Sequence, residues 1–292
     1  MLALTRAEVE RLLDPDELLA GLERGFVEYS AGRCDVPPRI AARSPGGIVG
    51  AMPGHVPGSG LAVKLVSVFP GSEPSHKAVI AVFDERDGSP LALMDGTYIT
   101  AMRTGAASAV SVKALARPDA SVLAVIGAGV QGQSHLAMVR RVRDFREVRV
   151  ASRSRPGLTF EEAVRGAGVV CLCTDAQEPV IRASWLSPGC HVTSVGIHHE
   201  IGPDLLAAAS VFVEWRGAAA LPFPAGAKEL QVIPPARVTE LGEVLAGTRP
   251  GRRSDREITL YKSTGFAMED AVAAGIVYRR ALKEGAGVAL TL

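Results

Sequence analysis

The fold is decided by the stretch Val122-Leu-Ala-Val-Ile-Gly127-Ala-Gly129-Val-Gln-Gly132. An apolar run is followed by GxGxxG and then by a helical pattern over residues 134–142, the order that is typical of a dinucleotide-binding site. Gly127 permits the tight turn, Gly129 lets the backbone approach a pyrophosphate, and Gly132 lets the helix pack close to the strand. The pyrophosphate would then bind the N–H groups at the start of the helix. The chain has 31 glycines, so the bare spacing can arise by chance, but the flanking strand and helix favour the binding site.

The end of the next apolar strand is basic. About twenty residues beyond such a glycine turn, an acidic residue usually binds the ribose of NAD. This chain has Ser152, Arg153 and Arg155 there. A carboxylate would repel a 2′-phosphate, whereas a hydroxyl and two guanidiniums would bind one. We therefore predict that these three residues bind the cofactor and that the cofactor is NADPH/NADP.

Composition limits the possible classes of protein. The chain has 292 residues, which predicts one large or two ordinary domains. Its net charge of +1 argues against a nucleic-acid or anionic-membrane partner, and no apolar run approaches the length of a membrane span. The polar N-terminus is unlike a secretory signal. Cys171 and Cys173 lack a second pair at metal-binding spacing, so we predict buried thiols, no metal and a reducing, cytoplasmic setting.

The first part of the chain predicts an α+β domain. Thr5 with Glu8 forms a capping box, and Asp14-Pro15 starts a second helix that ends at Gly32. A helix follows at residues 99–116, before Pro118. The predicted strands lie between these helices, at residues 48–52, 61–68, 78–84 and 90–94, the last two joined by a hairpin at Asp87-Gly88.

From residue 121 the pattern alternates strand and helix, which predicts a Rossmann-type doubly wound parallel sheet. The predicted strands are residues 122–126, 147–151, 169–173, 191–195 and 211–213, with a further strand at Ile258–Lys262 before a long C-terminal helix. Only about four residues separate Arg155 from Thr159, where a crossover helix and a third strand need at least about ten to twelve. We therefore predict a sheet trimmed on its adenine side. The predicted domains are a substrate-binding and dimerisation domain, residues 1–117 with 264–292, and a dinucleotide-binding domain, residues 118–263.

Three cations of the first domain are candidates for substrate binding. Lys64 lies in an apolar strand, where it is either an edge residue or a buried functional cation. Arg39 follows the rigid Val36-Pro-Pro turn, although a lone surface arginine needs no function. Arg103 lies on a helix face that is otherwise small and apolar, where a guanidinium needs a partner. Together these cations suggest an anionic substrate, most simply a carboxylate.

The histidines divide into two groups. His76 stands at the head of a strand, and His198 and His199 follow the fourth strand of the nucleotide fold, at the edge where ligands bind. His76 and His198 are therefore candidates for proton transfer. The other three, His55, His135 and His191, have no polar company in the sequence and are predicted to be structural.

The chain resembles the ornithine cyclodeaminase/μ-crystallin family from residue 5 to residue 278. The resemblance is carried by ordered motifs: Val36-Pro-Pro-Arg39, Met52-Pro-Gly54, Lys64-Leu-Val66, Pro74-Ser-His76, Leu93-Met-Asp-Gly96, Thr100-Ala-Met-Arg103-Thr104-Gly-Ala106, Gly127-Ala-Gly-Val-Gln131, Glu240-Leu-Gly-Glu243, Lys262-Ser-Thr-Gly265 and Glu269-Asp270. The Pro-Ser-His and Met-Asp-Gly stretches and the Ser-Arg pair after the second strand are more similar to the μ-crystallin ketimine reductases than to the cyclodeaminases.

This resemblance implies a homodimer, an N-terminal domain completed by the C-terminal helix, and an active site between that domain and the Rossmann fold. It implies that Arg39 and Arg103 clamp the substrate carboxylate and that Lys64 lies at the reacting carbon and nitrogen. The cofactor residues that it implies are Thr104, Val130 and Gln131 at the phosphates and Ser263 and Gly265 near the nicotinamide.

The chain departs from both branches of the family after its fourth strand. Cyclodeaminases carry a catalytic aspartate soon after the Val-Gly pair, and here Val195-Gly196 is followed by His198 at the matching place. The Ser-Arg pair of the μ-crystallins is also absent there. We therefore predict an NADPH-dependent reductase of a C=N bond next to a carboxylate, such as a cyclic ketimine or Δ1-pyrroline-2-carboxylate, with Lys64, His76 or His198 assisting protonation. The alternatives are a cyclodeaminase with a recycled NAD(P) cofactor and a nonenzymatic NADPH-binding or small-ligand-binding protein.

Overall fold

The computed structural model describes residues 1–196 and 198–291. The strands of the described residues are β1 Leu2–Leu4, β2 Ile40–Ser44, β3 Gly47–Val56, β4 Gly60–Val68, β5 His76–Phe83, β6 Pro90–Asp95, β7 Val122–Ile126, β8 Glu147–Ala151, β9 Val169–Leu172, β10 His191–Ser194, β11 Ala209–Val213, β12 Thr239–Glu240, β13 Ile258–Lys262 and β14 Val288–Ala289. The α-helices are α1 Arg6–Leu12, α2 Pro15–Ser30, α3 Gly96–Leu115, α4 Val130–Val142, α5 Phe160–Val164, α6 Pro203–Ala208, α7 Gly217–Ala220, α8 Leu241–Leu245 and α9 Ala267–Glu284.

The chain forms two compact units, residues 1–103 with 266–292 (unit 1) and residues 104–265 (unit 2). The sequence prediction placed the boundaries at 117/118 and 263/264. The boundary between residues 103 and 104 falls inside the continuous helix α3. No turn residue marks a boundary within a helix, so the sequence pattern could indicate only the end of the helix. Within the described residues, none of the helices combines the length and apolar character that crossing a membrane requires.

Unit 1 is built on one sheet with the strand order β14-β1-β6-β5-β4-β3-β2. Only the β1–β6 pair among these is parallel. Helices α2 and α9 pack closely because glycines face larger side chains: a Cβ added to Gly21 would lie 2.7 Å from Cγ1 of Val272. The same holds where α9 meets β3, since a Cβ on Gly54 would lie 3.2 Å from the backbone of Ala267. The C-terminal helix is thus part of this unit's core.

The two faces of this sheet differ. Alternating residues of the inner face are buried, and Lys64 is one of them, paired in register with Met52 on β3 and Ile80 on β5. The opposite face leaves apolar side chains exposed, among them Leu65 and Val79. The period-2 alternation of these strands therefore places Lys64 on the core side and not at an exposed edge.

Unit 2 is the predicted Rossmann-type fold. Its sheet is parallel throughout, with the order β12-β11-β13-β10-β9-β7-β8. The trimmed edge is confirmed, because β8 pairs only with β7 among the described strands and the chain passes from β8 through the short helix α5 to β9. The crossover that would carry a third strand beyond β8 is missing.

Several local predictions are confirmed, but some helices and strands begin or end at other residues than predicted. Thr5 and Glu8 form their capping box, and Gly88 adopts φ of 75° in the β5–β6 hairpin. The helix predicted at 99–116 begins earlier, at Gly96, because the carboxylate of Asp95 accepts a hydrogen bond from the N–H of Tyr98. Strand β2 was not predicted, since all of its residues are exposed and show no alternation.

Candidate active site

The glycine turn of unit 2 has the geometry that a pyrophosphate requires. Gly127 has φ of 112°, and a Cβ on Gly127 or Gly132 would collide with backbone carbonyl groups. A Cβ on Gly129 would meet no heavy atom within 4 Å, so the backbone is open to an approaching ligand at this glycine. Helix α4 starts directly after it without a side-chain cap, and its own hydrogen bonds begin where Gln133 N–H donates to the Gly129 carbonyl. The preceding amides, including those of Val130 and Gln131, are therefore suited to bind phosphate oxygens.

The end of β8 presents the predicted basic segment. The hydroxyl of Ser152 lies 2.8 Å from that of Ser154 and accepts a hydrogen bond from the Ser154 N–H. Arg153 and Arg155 are exposed, and neither forms an ion pair with a carboxylate of the described residues. The guanidiniums are thus available to an external anion.

Lys64 is a buried cation in unit 1. Its side chain is 1% exposed, and its Nζ lies 2.7 Å from Oδ2 of Asp270. Burial lowers the pKa of Lys64 to about 8, the Asp270 carboxylate opposes that shift, and the charges of Arg103 and Arg39 add to it. An ammonium with this pKa can hold or release a proton near neutral pH. Lys64 is therefore a buried cation on an interior strand and not an edge residue.

Arg103 has protein partners in the same cluster. Its Nη1 donates to Oε2 of Glu269 at 2.9 Å, and its Nε donates to Oδ1 of Asp270 at 3.2 Å. Both carboxylates come from the first turn of α9 and are buried. The guanidinium of Arg103, which needs a partner on this apolar helix face, is thus paired with two carboxylates of the same chain. The formal charges of Lys64, Arg103, Glu269 and Asp270 sum to zero.

The other candidates of unit 1 lie at its rim. Arg39 is half-buried, and its charge acts on Lys64. His76 is exposed at the start of β5, with its Nδ1 3.0 Å from the Ser75 hydroxyl. It pairs with Val68, four residues along β4 from Lys64, which corresponds to about 13 Å. The structure therefore does not bring His76 to Lys64.

His198 lies in unit 2, on the loop after β10. Its Nδ1 is 3.4 Å from Nζ of Lys228, and its ring stacks on that of Phe223 with centroids 6.1 Å apart. Partial burial and the charge of Lys228 lower the pKa of His198 below its usual value, while Asp175 opposes them. The imidazole is thus poised toward its neutral form.

Ser263, Thr264 and Gly265 form a turn at the carboxyl end of β13. Its conformation is held by Glu214, a buried residue directly after β11, whose Oε1 accepts from the Ser263 hydroxyl at 3.1 Å and from the Thr264 N–H at 2.7 Å. Trp215 donates its indole N–H to the Thr264 hydroxyl. Glu214 was not predicted as a site residue, although its position as an acid directly after an apolar strand was the available signal.

A second buried network was also missed. Lys262 Nζ bonds to the Ser194 hydroxyl at 2.9 Å, to the Gly196 carbonyl, and to Glu229 at 2.5 Å. Glu200 accepts from the Ser194 hydroxyl and from the Gly196 N–H at 2.7 and 2.9 Å. The N–H and the carbonyl of Gly196 are therefore both held by charged side chains.

The histidines predicted to be structural have internal partners. His135 Nδ1 donates to the Gln131 carbonyl, so its Nε2 accepts from the Ser108 hydroxyl, and burial lowers the pKa of His135 to about 4. His191 is equally buried, between the hydroxyls of Ser111 and Thr259. Neither ring is exposed to a ligand. His55 bonds to Glu85 at the surface.

The residues predicted to bind the cofactor phosphates differ in exposure. Thr104 is buried on α3, Val130 is exposed, and Gln131 is half-buried. The described residues contain no group of histidine, cysteine and carboxylate side chains that could hold a metal ion. Burial raises the pKa of the Cys171 thiol to about 12, which is consistent with an unreactive core residue.

Comparisons with known proteins agree with this geometry. The model of the ornithine cyclodeaminase/mu-crystallin family matches residues 1–159 and 157–285, two stretches that meet in the loop of the trimmed edge. The ketimine reductase mu-crystallin of Macropus fuliginosus is 33% identical over 305 residues, covering 93% of this chain and 94% of the relative.

Two solved structures share the fold over their whole length. The Δ1-pyrroline-2-carboxylate reductase of Thermococcus litoralis, in complex with NADH and L-proline, has a TM-score of 0.91 and 33% identity, covering 99% of this chain and 100% of the other. An archaeal alanine dehydrogenase dimer with bound NAD has a TM-score of 0.89 and 32% identity, covering 100% and 99%. These relatives are NAD(P)-dependent oxidoreductases of C=N and CH–NH bonds. The chain belongs to the ornithine cyclodeaminase/mu-crystallin family.

Proposed function

We propose that this protein is an NADPH-dependent reductase of a C=N bond adjacent to a carboxylate, with a cyclic ketimine or Δ1-pyrroline-2-carboxylate as substrate. The observation that carries the proposal is the buried Lys64, whose pKa is lowered to about 8, within a cluster of cations and carboxylates. A group with such a pKa can protonate an imine nitrogen at neutral pH. The glycine turn of unit 2 supplies the dinucleotide site that a reductase needs.

Arg39 and Arg103 bind the substrate carboxylate in this proposal. A planar guanidinium can form two parallel hydrogen bonds with a carboxylate. Arg39 is half-buried, and its charge already acts on Lys64. Arg103 is held in a fixed direction by Glu269 and Asp270, so its ordering cost is met before the substrate arrives. A carboxylate fixed by these groups places the neighbouring C=N bond toward Lys64.

The reaction then needs one hydride and one proton. A reduced nicotinamide, when bound, would supply a hydride for the imine carbon. The Lys64 ammonium donates its proton to the nitrogen, which makes the carbon more electrophilic and yields a CH–NH product. Because Lys64 is 1% exposed, water competes little for that proton. His198 and His76, the other candidates for protonation, lack Lys64's burial.

The resemblance supplies the cofactor residues of this proposal, and the geometry of unit 2 supports them. The first-turn amides of α4, with Thr104, Val130 and Gln131, hold the phosphates, and the Ser263–Gly265 turn, held by Glu214, takes the nicotinamide end. NADPH is preferred because Arg153 and Arg155 face no carboxylate of the described residues and Ser152 offers a hydroxyl. A 2′-phosphate would supply the missing negative charge.

A homodimer covers the exposed face of unit 1. Ile40, Leu65 and Val79 follow one another across neighbouring strands in register, separated only by Ala51, and are 71%, 45% and 43% exposed. A contiguous apolar row of this kind marks a protein interface. A second copy of the chain is the proposed occupant, as in the dimeric relative described above. Light scattering should give a dimer for the wild type and a monomer for Leu65→Asp; a monomeric wild type at micromolar concentration would contradict the proposal.

The activity is tested by following cofactor oxidation with cyclic imino acids of five- and six-membered rings, and with 2-keto acids plus ammonia or an amine. We expect NADPH oxidation with a cyclic imino acid and loss of that oxidation in Lys64→Met. Faster turnover of a keto acid with ammonia would instead indicate an alanine dehydrogenase-type reaction. Ammonia release without net cofactor turnover would indicate a cyclodeaminase, and cofactor binding without turnover of any substrate would indicate a binding protein.

A further inference from the structure

Three side chains of unit 2 form a cluster beyond the carboxyl end of β10. His198 lies on the loop after this strand, and Phe223 and Lys228 come from the proline-containing segment 221–228. The rings of His198 and Phe223 stack with their centroids 6.1 Å apart and an interplanar angle of 25°. Nζ of Lys228 lies 5.1 Å from the centroid of Phe223 and 3.4 Å from Nδ1 of His198. We call these three residues the Lys228 cluster.

Lys228 is the charged member of the cluster. It is half-buried, and it forms no ion pair with a carboxylate in the part of the chain that the structure describes. An ammonium has three N–H donors, and a neutral imidazole accepts only one of them. The face of Phe223 and the ring of His198 hold the ammonium in place without neutralising its charge. A cation that is positioned in this way favours an anion from outside the protein.

The acids around the cluster do not take this place. Glu229 is buried in an ion pair with Lys262, and the buried carboxylate of Glu200 accepts hydrogen bonds from neighbouring N–H and hydroxyl groups. The side chain of Asp175 is 81% exposed and lies 4.0 Å from the imidazole Nε2, whereas Lys228 lies at Nδ1. The charge of Lys228 is therefore open to a ligand.

Under the proposed function, the cluster lies at the nicotinamide end of the sheet edge. β10 and β13 are parallel neighbours with Ser194 and Lys262 in register, so the His198 loop and the Ser263–Gly265 turn follow adjacent strand ends. The glycine turn that suits the pyrophosphate follows β7, and β9 lies between β7 and β10, a separation of about 10 Å across the sheet. The anion that Lys228 favours is thus more naturally part of the substrate than of the cofactor phosphates.

We propose that Lys228 binds a second carboxylate of the substrate, distinct from the one next to the C=N bond, and that the preferred substrate is a dicarboxylic cyclic imino acid. The inference rests on the proposed function, because an imine that accepts a hydride must lie against the nicotinamide. Phe223 and His198 form the wall that fixes the ammonium, so little of its rotational freedom is lost when the carboxylate binds.

The test uses two pairs of cyclic imino acids whose members differ only in a second carboxylate. They are Δ1-piperideine-2-carboxylate with Δ1-piperideine-2,6-dicarboxylate, and Δ1-pyrroline-2-carboxylate with Δ1-pyrroline-2,5-dicarboxylate. NADPH oxidation gives kcat/KM for the wild type, Lys228→Met and Lys228→Arg. The wild type should prefer the dicarboxylate of at least one pair by at least about tenfold, which corresponds to about 1.4 kcal/mol. Lys228→Met should lose most of this preference, mainly through KM, and Lys228→Arg should keep it because the charge remains.

The contrary outcomes differ in what they overturn. A wild type that reduces the monocarboxylates as well as the dicarboxylates of both pairs overturns the assignment of Lys228 and leaves the proposed function intact. An equal loss on both members of a pair in Lys228→Met assigns Lys228 to the fold and also overturns the inference. A wild type that oxidises NADPH with none of the four imino acids refutes the proposed function, and the inference with it.

Discussion

Asp270→Asn changes the proton affinity of Lys64 at almost constant volume. Oδ2 of Asp270 lies 2.7 Å from the Lys64 ammonium, while Oδ1 accepts from Arg103 Nε at 3.2 Å. An asparagine retains an oxygen that can accept from Arg103 but carries no charge. Burial already lowers the pKa of Lys64 to about 8, and the Asp270 charge is the largest influence that opposes the shift. Its removal should therefore lower this pKa further.

The size of the effect follows from the distance. Two unit charges 2.7 Å apart interact by about 6 kcal/mol at an effective dielectric constant of about 20. One pKa unit corresponds to about 1.4 kcal/mol, so even a third of that interaction lowers the Lys64 pKa by more than one unit. Lys64 would then be largely neutral at pH 7, so that only a minor fraction of the enzyme could protonate an imine at that pH.

The assay is the pH dependence of kcat/KM for imine reduction. In the wild type, activity should fall as pH rises through about 8, the pKa of Lys64. In Asp270→Asn the same limb should move at least one unit toward acid. Glu269→Gln is the matched control, because it removes an equal charge from the same helix turn but bonds to Arg103. Superimposable alkaline limbs for wild type and Asp270→Asn would refute the assignment of Lys64 as the proton donor.

Three further predictions concern unit 2. Gly129→Ala should keep the wild-type melting temperature and lose at least tenfold in NADPH affinity, whereas Gly132→Ala should lower the melting temperature, because only the second Cβ collides with backbone; unchanged affinity in Gly129→Ala would place the pyrophosphate elsewhere. Arg153→Glu should weaken NADPH more than NADH in parallel titrations, and an equal loss for both would contradict recognition of the 2′-phosphate. The pKa of His135 is lowered to about 4, so the unfolding free energy should decrease as pH falls from about 6.5 to about 4, by at most about 3 kcal/mol; denaturant titrations of His135→Gln should show a smaller decrease, and an equally steep one would contradict the assignment.

Sequence patterns that involve only a few neighbouring residues predicted the local structure correctly. The capping boxes at Thr5 and Thr159 are both present, because their partners lie three residues away on the same helix turn. The positive φ of Gly127 and Gly88 follows from turns that only a few neighbours define. The short segment after Arg155 predicted the missing strand, since chain length alone limits what can be built there.

The polar networks could not be predicted in this way. Glu214 holds Thr264 across 50 residues of sequence, and Lys262 reaches Ser194 across 68. Such contacts depend on which strands are neighbours in the sheet. β13 lies between β10 and β11, an order that differs from the order of these strands in the sequence. The sequence could predict that Glu214 and Lys262 lie at the carboxyl ends of their strands, but it could not predict which residues they contact.

Arg103 shows the same limit of prediction from sequence. Its apolar surroundings required a partner, but sequence alone could not distinguish a substrate from Glu269 and Asp270, which lie 166 and 167 residues away. A bound substrate carboxylate offsets the positive charge of Arg39, which lowers the pKa of Lys64 in the free enzyme, and adds a negative charge next to Lys64. This charge should raise the pKa of Lys64 in the complex above its value of about 8 in the free enzyme, and so keep the proton in place until it is donated. The alkaline limb of kcat, which reports the complex, should therefore lie at higher pH than that of kcat/KM, which reports the free enzyme. Steady-state kinetics over the same pH series measure both limbs. A kcat limb at or below the kcat/KM limb would mean that the carboxylate does not bind beside Lys64.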